Sequence, residues 1–200
     1  MFDYDISRVT DLKSDAQQIK LGLCQRDVSL LQTLVEQYQY RLVRYLIYLM
    51  GRRDSVDDLV QETWLRVLER GSSYDGHSRF EPWLFAIARN LAIDHMRKRQ
   101  ISSLDSNDES EWEPGTKSPA SNAPSPFALA ARTEDAERLA HSLETLDFVY
   151  REALVLRFQE DLSLQEISAV VGAPVSTISS RIYRGLATLR SQLEGANHEA

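Results

Sequence analysis

Residues 101–132 cannot build a core, and that one stretch divides the fold available to the chain. It holds four of the six prolines, Pro114, Pro119, Pro124 and Pro126, together with seven serines and a cluster of acids. Its apolar residues, such as Leu104, Trp112 and Phe127, are isolated, so burial cannot offset the entropy of ordering the backbone. The stretch reads as a flexible acidic linker. Residues 1–100 and 133–200 then read as two small domains. Charge follows the same division: residues 1–100 carry 15 basic against 14 acidic side chains, residues 101–135 carry 2 against 7, and residues 136–200 carry 6 against 9, for a net of −7.

Both flanking segments have helical periodicity and few alternating β-branched runs, which predicts an all-α fold. From about Asp15 to Met50 the apolar positions Ile19, Leu23, Leu30, Leu31, Leu34, Val35, Tyr38, Leu42, Leu46 and Leu49 describe two helices. They break near Arg26 to Ser29, where Asp27 or Ser29 suits the N-cap. Gly51 ends the second helix. The next has Leu59, Val60, Trp64, Val67 and Leu68 as its core face, and a Gly-containing loop leads to a further helix with Pro82 at its first position. There Leu84, Ile87, Ala88 and Leu91 form the buried side, leaving Ala86, Asn90, Asp94 and Arg97 on one outward stripe that runs into Lys98 and Arg99. A flat polar strip beside a cationic end suits a nucleic-acid strand, whose phosphates need point charges and whose base edges need amide-type partners.

Beyond the linker, helices are expected over 134–146 and 148–158. Ser163 with Glu166 three residues on is a capping box, opening a short helix with Leu164, Ile167 and Val170 inward. Gly172 supplies a turn, and Pro174 begins a last helix with Val175, Ile178, Ile182 and Leu189 inward. Ser176, Thr177, Ser179, Ser180, Arg181, Tyr183 and Arg184 face outward. A helix, a tight glycine turn and a helix bearing Ser, Thr and Arg near its start is the arrangement that enters a major groove, although the same pattern also fits a helical hairpin in a structural bundle.

Several chemistries are excluded by what is missing. One cysteine, Cys24, rules out a disulfide framework within the chain; on its apolar-periodic stretch it reads as a small buried residue, with a redox role the alternative. His77, His95, His141 and His198 lack partners at ligand spacing, so no metal site is expected. No carboxylate pair, nucleophile–histidine set or phosphate loop points to catalysis or to a cofactor. The longest apolar run, Leu42 to Met50, is interrupted by Arg44 and too short for a bilayer, which predicts a cytoplasmic protein without a membrane span.

Two blocks carry a resemblance. DDLVQETWLRVL followed by PWLFAIARNLAIDHMRKR resembles the core-binding and promoter-melting domain of bacterial RNA polymerase sigma factors of the extracytoplasmic-function type. LSLQEISAVVGAPVSTISSRIYRGLATLR resembles the helix-turn-helix of that family's other domain. With the helices leading into them, the blocks cover most of the chain outside the first dozen residues and the linker. The resemblance implies that residues 1–100 bind core RNA polymerase and melt minus-ten DNA, and that residues 133–200 read the minus-thirty-five duplex.

By the same resemblance Asp57, Asp58, Gln61 and Glu62 meet a basic helical hairpin of the polymerase clamp, where the plain reading is the usual acidic start of a helix. Asn90 matches the position that contacts a flipped minus-ten base, Asp94 lies one turn on, and Arg97, Lys98 and Arg99 contact phosphates or cap the helix dipole. Tyr74, in the loop, either stacks on an extruded base or serves the structure. Ser176, Thr177, Ser179, Ser180, Arg181, Tyr183 and Arg184 form the minus-thirty-five surface; Ser179 stands where many members have Arg, so the resemblance does not fix which minus-thirty-five sequence this helix reads. The linker is either a spacer or, as in the family, an acidic strand in the RNA exit path. The implied partners are core polymerase, promoter DNA and an anti-sigma factor, with a monomer when free. Two rivals remain at this point: a free-standing helix-turn-helix regulator, which would need an effector domain in residues 1–130, and a nucleic-acid hydrolase, which lacks a catalytic set.

Overall fold

A computed structural model of the protein describes residues 6–51, 55–104, 139 and 142–196, and every described element is helical. The helices are α1 (Ile6–Gln25), α2 (Val28–Met50), α3 (Val56–Arg70), α4 (Phe80–Leu104), α5 (Phe148–Leu154), α6 (Leu164–Val171) and α7 (Val175–Ala196). A single 3₁₀ turn, Gly71–Ser73, follows α3, and a π-helical turn, Val155–Gln159, extends α5. The expected linker lies, beyond Leu104, outside the described residues, as does most of the helix expected over 134–146, of which residues 142–145 are helical.

Local signals set most of the boundaries. The break between α1 and α2 falls at Arg26, with φ of 54°, and Asp27 caps α2 by accepting from the backbone N–H groups of Ser29 at 2.8 Å and Leu30 at 3.3 Å. Gly51 closes α2 in the left-handed region, with φ of 63°. The Ser163–Glu166 capping box forms as expected, each partner bonding the other's backbone. Three boundaries differ. Helix α1 starts well before Asp15; α4 begins at Phe80, so Pro82 lies within the first turn rather than at the first position; and α4 continues to Leu104. Proline is tolerated throughout a first turn because none of those N–H groups has an intrahelical partner.

In the N-terminal domain Leu42, Tyr45 and Leu46 of α2, Val67 of α3 and Leu84, Phe85, Ala88 and Ala92 of α4 are fully buried. Gly71 lets α1 approach the turn after α3, where a Cβ would meet the Cβ of Leu23 at 2.8 Å. Cys24 is exposed rather than buried, a correction that follows from its place on α1 beside the buried Leu23 but on the outer face. Val175, expected inward, is instead 37% exposed.

The two domains do not stand apart. Leu156, Leu162, Ile167 and Ile178 belong to the same buried cluster as the N-terminal core. Helix α4 packs on α6, and α2 on α5. The seam carries charge: the Glu160 carboxylate accepts from Arg41 Nε at 2.8 Å and Arg44 Nη2 at 3.0 Å. Glu152 accepts from Arg89 Nε at 2.7 Å and Tyr45 Oη at 3.2 Å. The side chains of Glu152 and Glu160 are 1% and 0% exposed.

Candidate polymerase and nucleic-acid interfaces

Three surfaces carry the residues singled out from the sequence. On α3, Asp57, Asp58 and Gln61 are exposed in the first two turns, where carboxylates also complement the helix dipole. Glu62 is half-buried and ion-paired with Arg66 Nε at 2.9 Å, while Arg66 also reaches Glu69 at 3.1 Å. Leu65, 53% exposed, shares the outer face with Gln61 and Asp58, being four and seven residues on. Sequence reading passed over it because it looked like one more apolar residue; the signal available was that it falls out of phase with Leu59, Val60, Trp64 and Val67.

On α4 the polar members of the stripe lie outward, while Ala86 is half-buried. Asn90, Asp94, Arg97, Lys98 and Arg99 are exposed, above the fully buried Leu84, Ala88 and Ala92. Asp94 and Arg97 form an exposed ion pair at 3.0 Å, weak enough that either partner can exchange it for a ligand.

Tyr74 takes the structural role of the two open to it. It is 1% exposed, its ring sits edge-on to Phe80 with centroids 5.6 Å apart and tilted against Trp83 at 5.4 Å, and its hydroxyl donates to the Ser78 carbonyl. Burial pushes its hydroxyl pKa up. The loop folds the ring inward because Asp75 gathers the chain beyond it, accepting from the N–H groups of His77 at 2.8 Å and Ser78 at 3.2 Å. Those donors hold the Asp75 carboxyl below its usual range. Base stacking by Tyr74 is thus incompatible with this loop conformation.

On α7, Ser176, Ser179, Ser180, Tyr183 and Arg184 are exposed, Tyr183 at 77%, and Thr177 and Arg181 are half-buried. The turn before α7 is held by Gly172, with φ of 71°, and by Ser168 Oγ donating to the Ala173 carbonyl at 2.6 Å. A shallow hollow of about 340 Å³ opens between α5 and α7, bordered by Tyr150, Ser176, Arg181 and Arg184. Gly185 allows the close approach of the two helices, since a Cβ there would meet Leu154 at 3.0 Å.

Among the described residues no group of histidine, cysteine and carboxylate side chains is placed to hold a metal ion, and no helix is long and apolar enough to cross a membrane.

Comparison with known proteins agrees with this arrangement. Residues 34–101 match the model of Sigma-70 region 2, and residues 136–189 match that of Sigma-70, region 4. The ECF RNA polymerase sigma factor SigX of Bacillus subtilis (strain 168) is 29% identical over 163 residues, spanning 82% of this chain and 83% of that protein. The ECF sigma factor EcfG of Rhodopseudomonas palustris (strain TIE-1) is 36% identical over 149 residues, spanning 74% and 77%. Among solved structures, the sigma factor RpoE of Bartonella quintana, in complex with the anti-sigma factor NepR, superimposes with a TM-score of 0.64 at 26% identity, over 82% of this chain and 96% of that one. Two helical modules of this kind, in this order, define a sigma factor of RNA polymerase. The chain belongs to the extracytoplasmic-function group of the sigma-70 family, whose members direct the polymerase to promoters and start transcription there.

Proposed function

We propose that this sigma factor divides its work among the three surfaces in a definite way. Residues 1–100 bind core polymerase through Asp57, Asp58, Gln61 and Glu62, with Leu65 added as the apolar centre of that face. The same domain captures melted minus-ten DNA through Asn90 and Asp94, with Arg97, Lys98 and Arg99 on the phosphates. Residues 133–200 read the minus-thirty-five duplex through Ser176, Thr177, Ser179, Ser180, Arg181, Tyr183 and Arg184, and residues 101–132 tether the two. The protein acts by binding rather than by catalysis, as a monomer in the cytoplasm, where promoters and polymerase are.

The observation that carries this reading is the α4 stripe: Asn90, Asp94, Arg97, Lys98 and Arg99 are exposed above the fully buried Leu84, Ala88 and Ala92, so that their side chains are not part of the core. A nucleic-acid strand is the ligand whose amide-reading and charge-neutralising needs it meets. An anti-sigma factor is the remaining proposed partner, supported by the similarity to a sigma factor captured with one. The test is copurification with core polymerase followed by open-complex formation on a duplex promoter. Asn90→Ala should retain polymerase binding and lose opening. Full opening by Asn90→Ala, at an unchanged melting temperature, would remove the stripe from minus-ten recognition.

A further inference from the structure

Helix α7 presents two adjoining edges. Ser176, Ser179, Ser180 and Tyr183 share its exposed face at three- and four-residue spacing, whereas Thr177, Arg181 and Arg184 recur at the same spacing on the flank beside it. That flank borders the hollow of about 340 Å³, whose other wall is Val149 and Tyr150 of α5. Gly185 sets the distance between the walls, since a Cβ there would meet the Tyr150 Cβ at 3.3 Å.

The lining is chemically one-sided. The chain carries 30 acidic side chains against 23 basic, yet the hollow is bordered by two arginines, four hydroxyls and Val149, with no carboxylate. Arg41, Arg44, Arg79 and Arg89 are each held by a carboxylate. Among the described residues the guanidinium groups of Arg181 and Arg184 have no such partner, although Arg181 is half-buried. Hydroxyls can donate, so every polar group of the lining can serve one oxyanion, and a charge-assisted bond to Arg181 is the strongest of these contacts. Pockets that enclose a small molecule run from about 300 to 1,000 Å³; this one is at the small end and shallow, which suits an anionic group carried on a larger ligand. A phosphate of a nucleic-acid backbone is such a group.

We propose that the hollow between α5 and α7 seats one backbone phosphate of the minus-thirty-five duplex, with Arg181 supplying the charge and Tyr150, Thr177 and Ser180 the hydroxyl donors. The inference rests on the reading of α7 proposed above and deepens it. Arg181 and Tyr150 fix the register of α7 in the groove without reading sequence. Sequence is read from the neighbouring face by Ser179 and Tyr183, with Arg184 exposed where the two edges meet. Tyr150, on α5, thereby joins an interface otherwise built from α7 alone.

The test uses holoenzyme assembled from core polymerase and the full chain, on promoters in which single phosphates across the minus-thirty-five element are replaced by uncharged methylphosphonates. Wild-type affinity should fall at one phosphate above the rest. Arg181→Ala should weaken binding to the unmodified promoter roughly tenfold and Tyr150→Phe about threefold, each equally across minus-thirty-five sequences. On the promoter neutralised at that phosphate both variants should bind as the wild type does, because the contact is already gone. Arg181→Ala should also lower the salt slope of binding by about 1, which Tyr150→Phe leaves unchanged. Tyr150→Phe keeps the ring, and matched thermal unfolding separates the hydroxyl's contact from a change of fold. No phosphate of special weight, a loss for Arg181→Ala concentrated at one base pair, or variants that bind the neutralised promoter more weakly than the wild type would each overturn the seat. Inorganic triphosphate displacing the wild type but not Arg181→Ala, with no sensitive backbone position, would overturn it in favour of a free polyphosphate. A wild-type holoenzyme indifferent to the minus-thirty-five element would instead overturn the reading of α7 itself.

Discussion

Tyr74 and Asn90 lie sixteen positions apart and have opposite relations to the fold. Tyr74 fills space between Phe80 and Trp83, so Tyr74→Ala should cost about 3–5 kcal/mol, as aromatic truncations in cores do, and Tyr74→Phe about 1 kcal/mol for the hydroxyl. Thermal unfolding of the two variants measures both. Asn90 touches none of that core, so Asn90→Ala should leave stability within about 0.5 kcal/mol while open-complex formation falls. Tyr38 offers a pH test. Burial pushes its hydroxyl from an ordinary value near 10 up to about 12, with Glu81 adding in the same direction and Arg41 opposing. Because the folded state holds the proton more tightly, this contribution is fully present below pH about 10 and is lost as pH rises through about 12, each tenfold gain in proton affinity being worth about 1.4 kcal/mol. Alkaline unfolding of Tyr38→Phe, followed by helical ellipticity, should therefore be displaced to higher pH than that of the wild type.

At the scale of elements, α3 and α7 present the residues proposed to meet polymerase and DNA differently. The acids at the start of α3 also favour the helix dipole, and Glu62 is held by Arg66, so reversing Asp58 and Glu62 to Lys should cost the helix roughly 1 kcal/mol or less while weakening polymerase binding far more. Affinity for core polymerase and helical content, measured on one sample, separate the two effects. Unchanged affinity would show that this face does not meet the clamp. Helix α7 is positioned by the turn before it, where the Ser163–Glu166 box starts α6 and Gly172 ends it in the left-handed region. Ser163→Ala should lower the stability of the C-terminal domain by about 1 kcal/mol. Arg184→Ala should leave stability alone and cost about 1–3 kcal/mol at one base pair if both guanidinium donors reach a guanine edge. A uniform loss across promoter sequences would make Arg184 a phosphate contact instead.

For the whole molecule, net charge bears directly on DNA binding. With a net charge of −7, the free chain has little long-range attraction for duplex DNA, and its affinity should be no better than the weak nonspecific range of about 10⁻⁴–10⁻⁶ M at physiological salt. Titration of a fluorescent promoter duplex with and without core polymerase measures this, and tight, sequence-specific binding by the free chain would contradict it. Removing one partner of a buried pair typically costs about 3–5 kcal/mol when the other stays buried, but at a domain seam the orphaned charge can regain water by opening. Global stability of Glu152→Gln should accordingly fall by less than that, with the difference appearing as expansion.

Helices, caps and the exposed polar faces of α4 and α7 were legible from residues alone, because each depends on neighbours within about four positions. Asp27, Gly51, the Ser163–Glu166 pair and the Asn90–Arg99 stripe all came from spacing. The order of the two blocks was enough to suggest the family. What required tertiary structure was every decision between groups distant in the chain. Whether the Tyr74 ring turned in or out depended on the space left between Phe80 and Trp83. Cys24 looked apolar-facing by periodicity, and only the placement of α1 on the turn after α3 put it outside. The closing of the two domains had no local sign at all, since Glu160 meets Arg41 across 119 positions and Glu152 meets Arg89 across 63. A charged residue on an apolar face is a hint of buried pairing, but its partner is chosen by packing, which short-range periodicity does not encode.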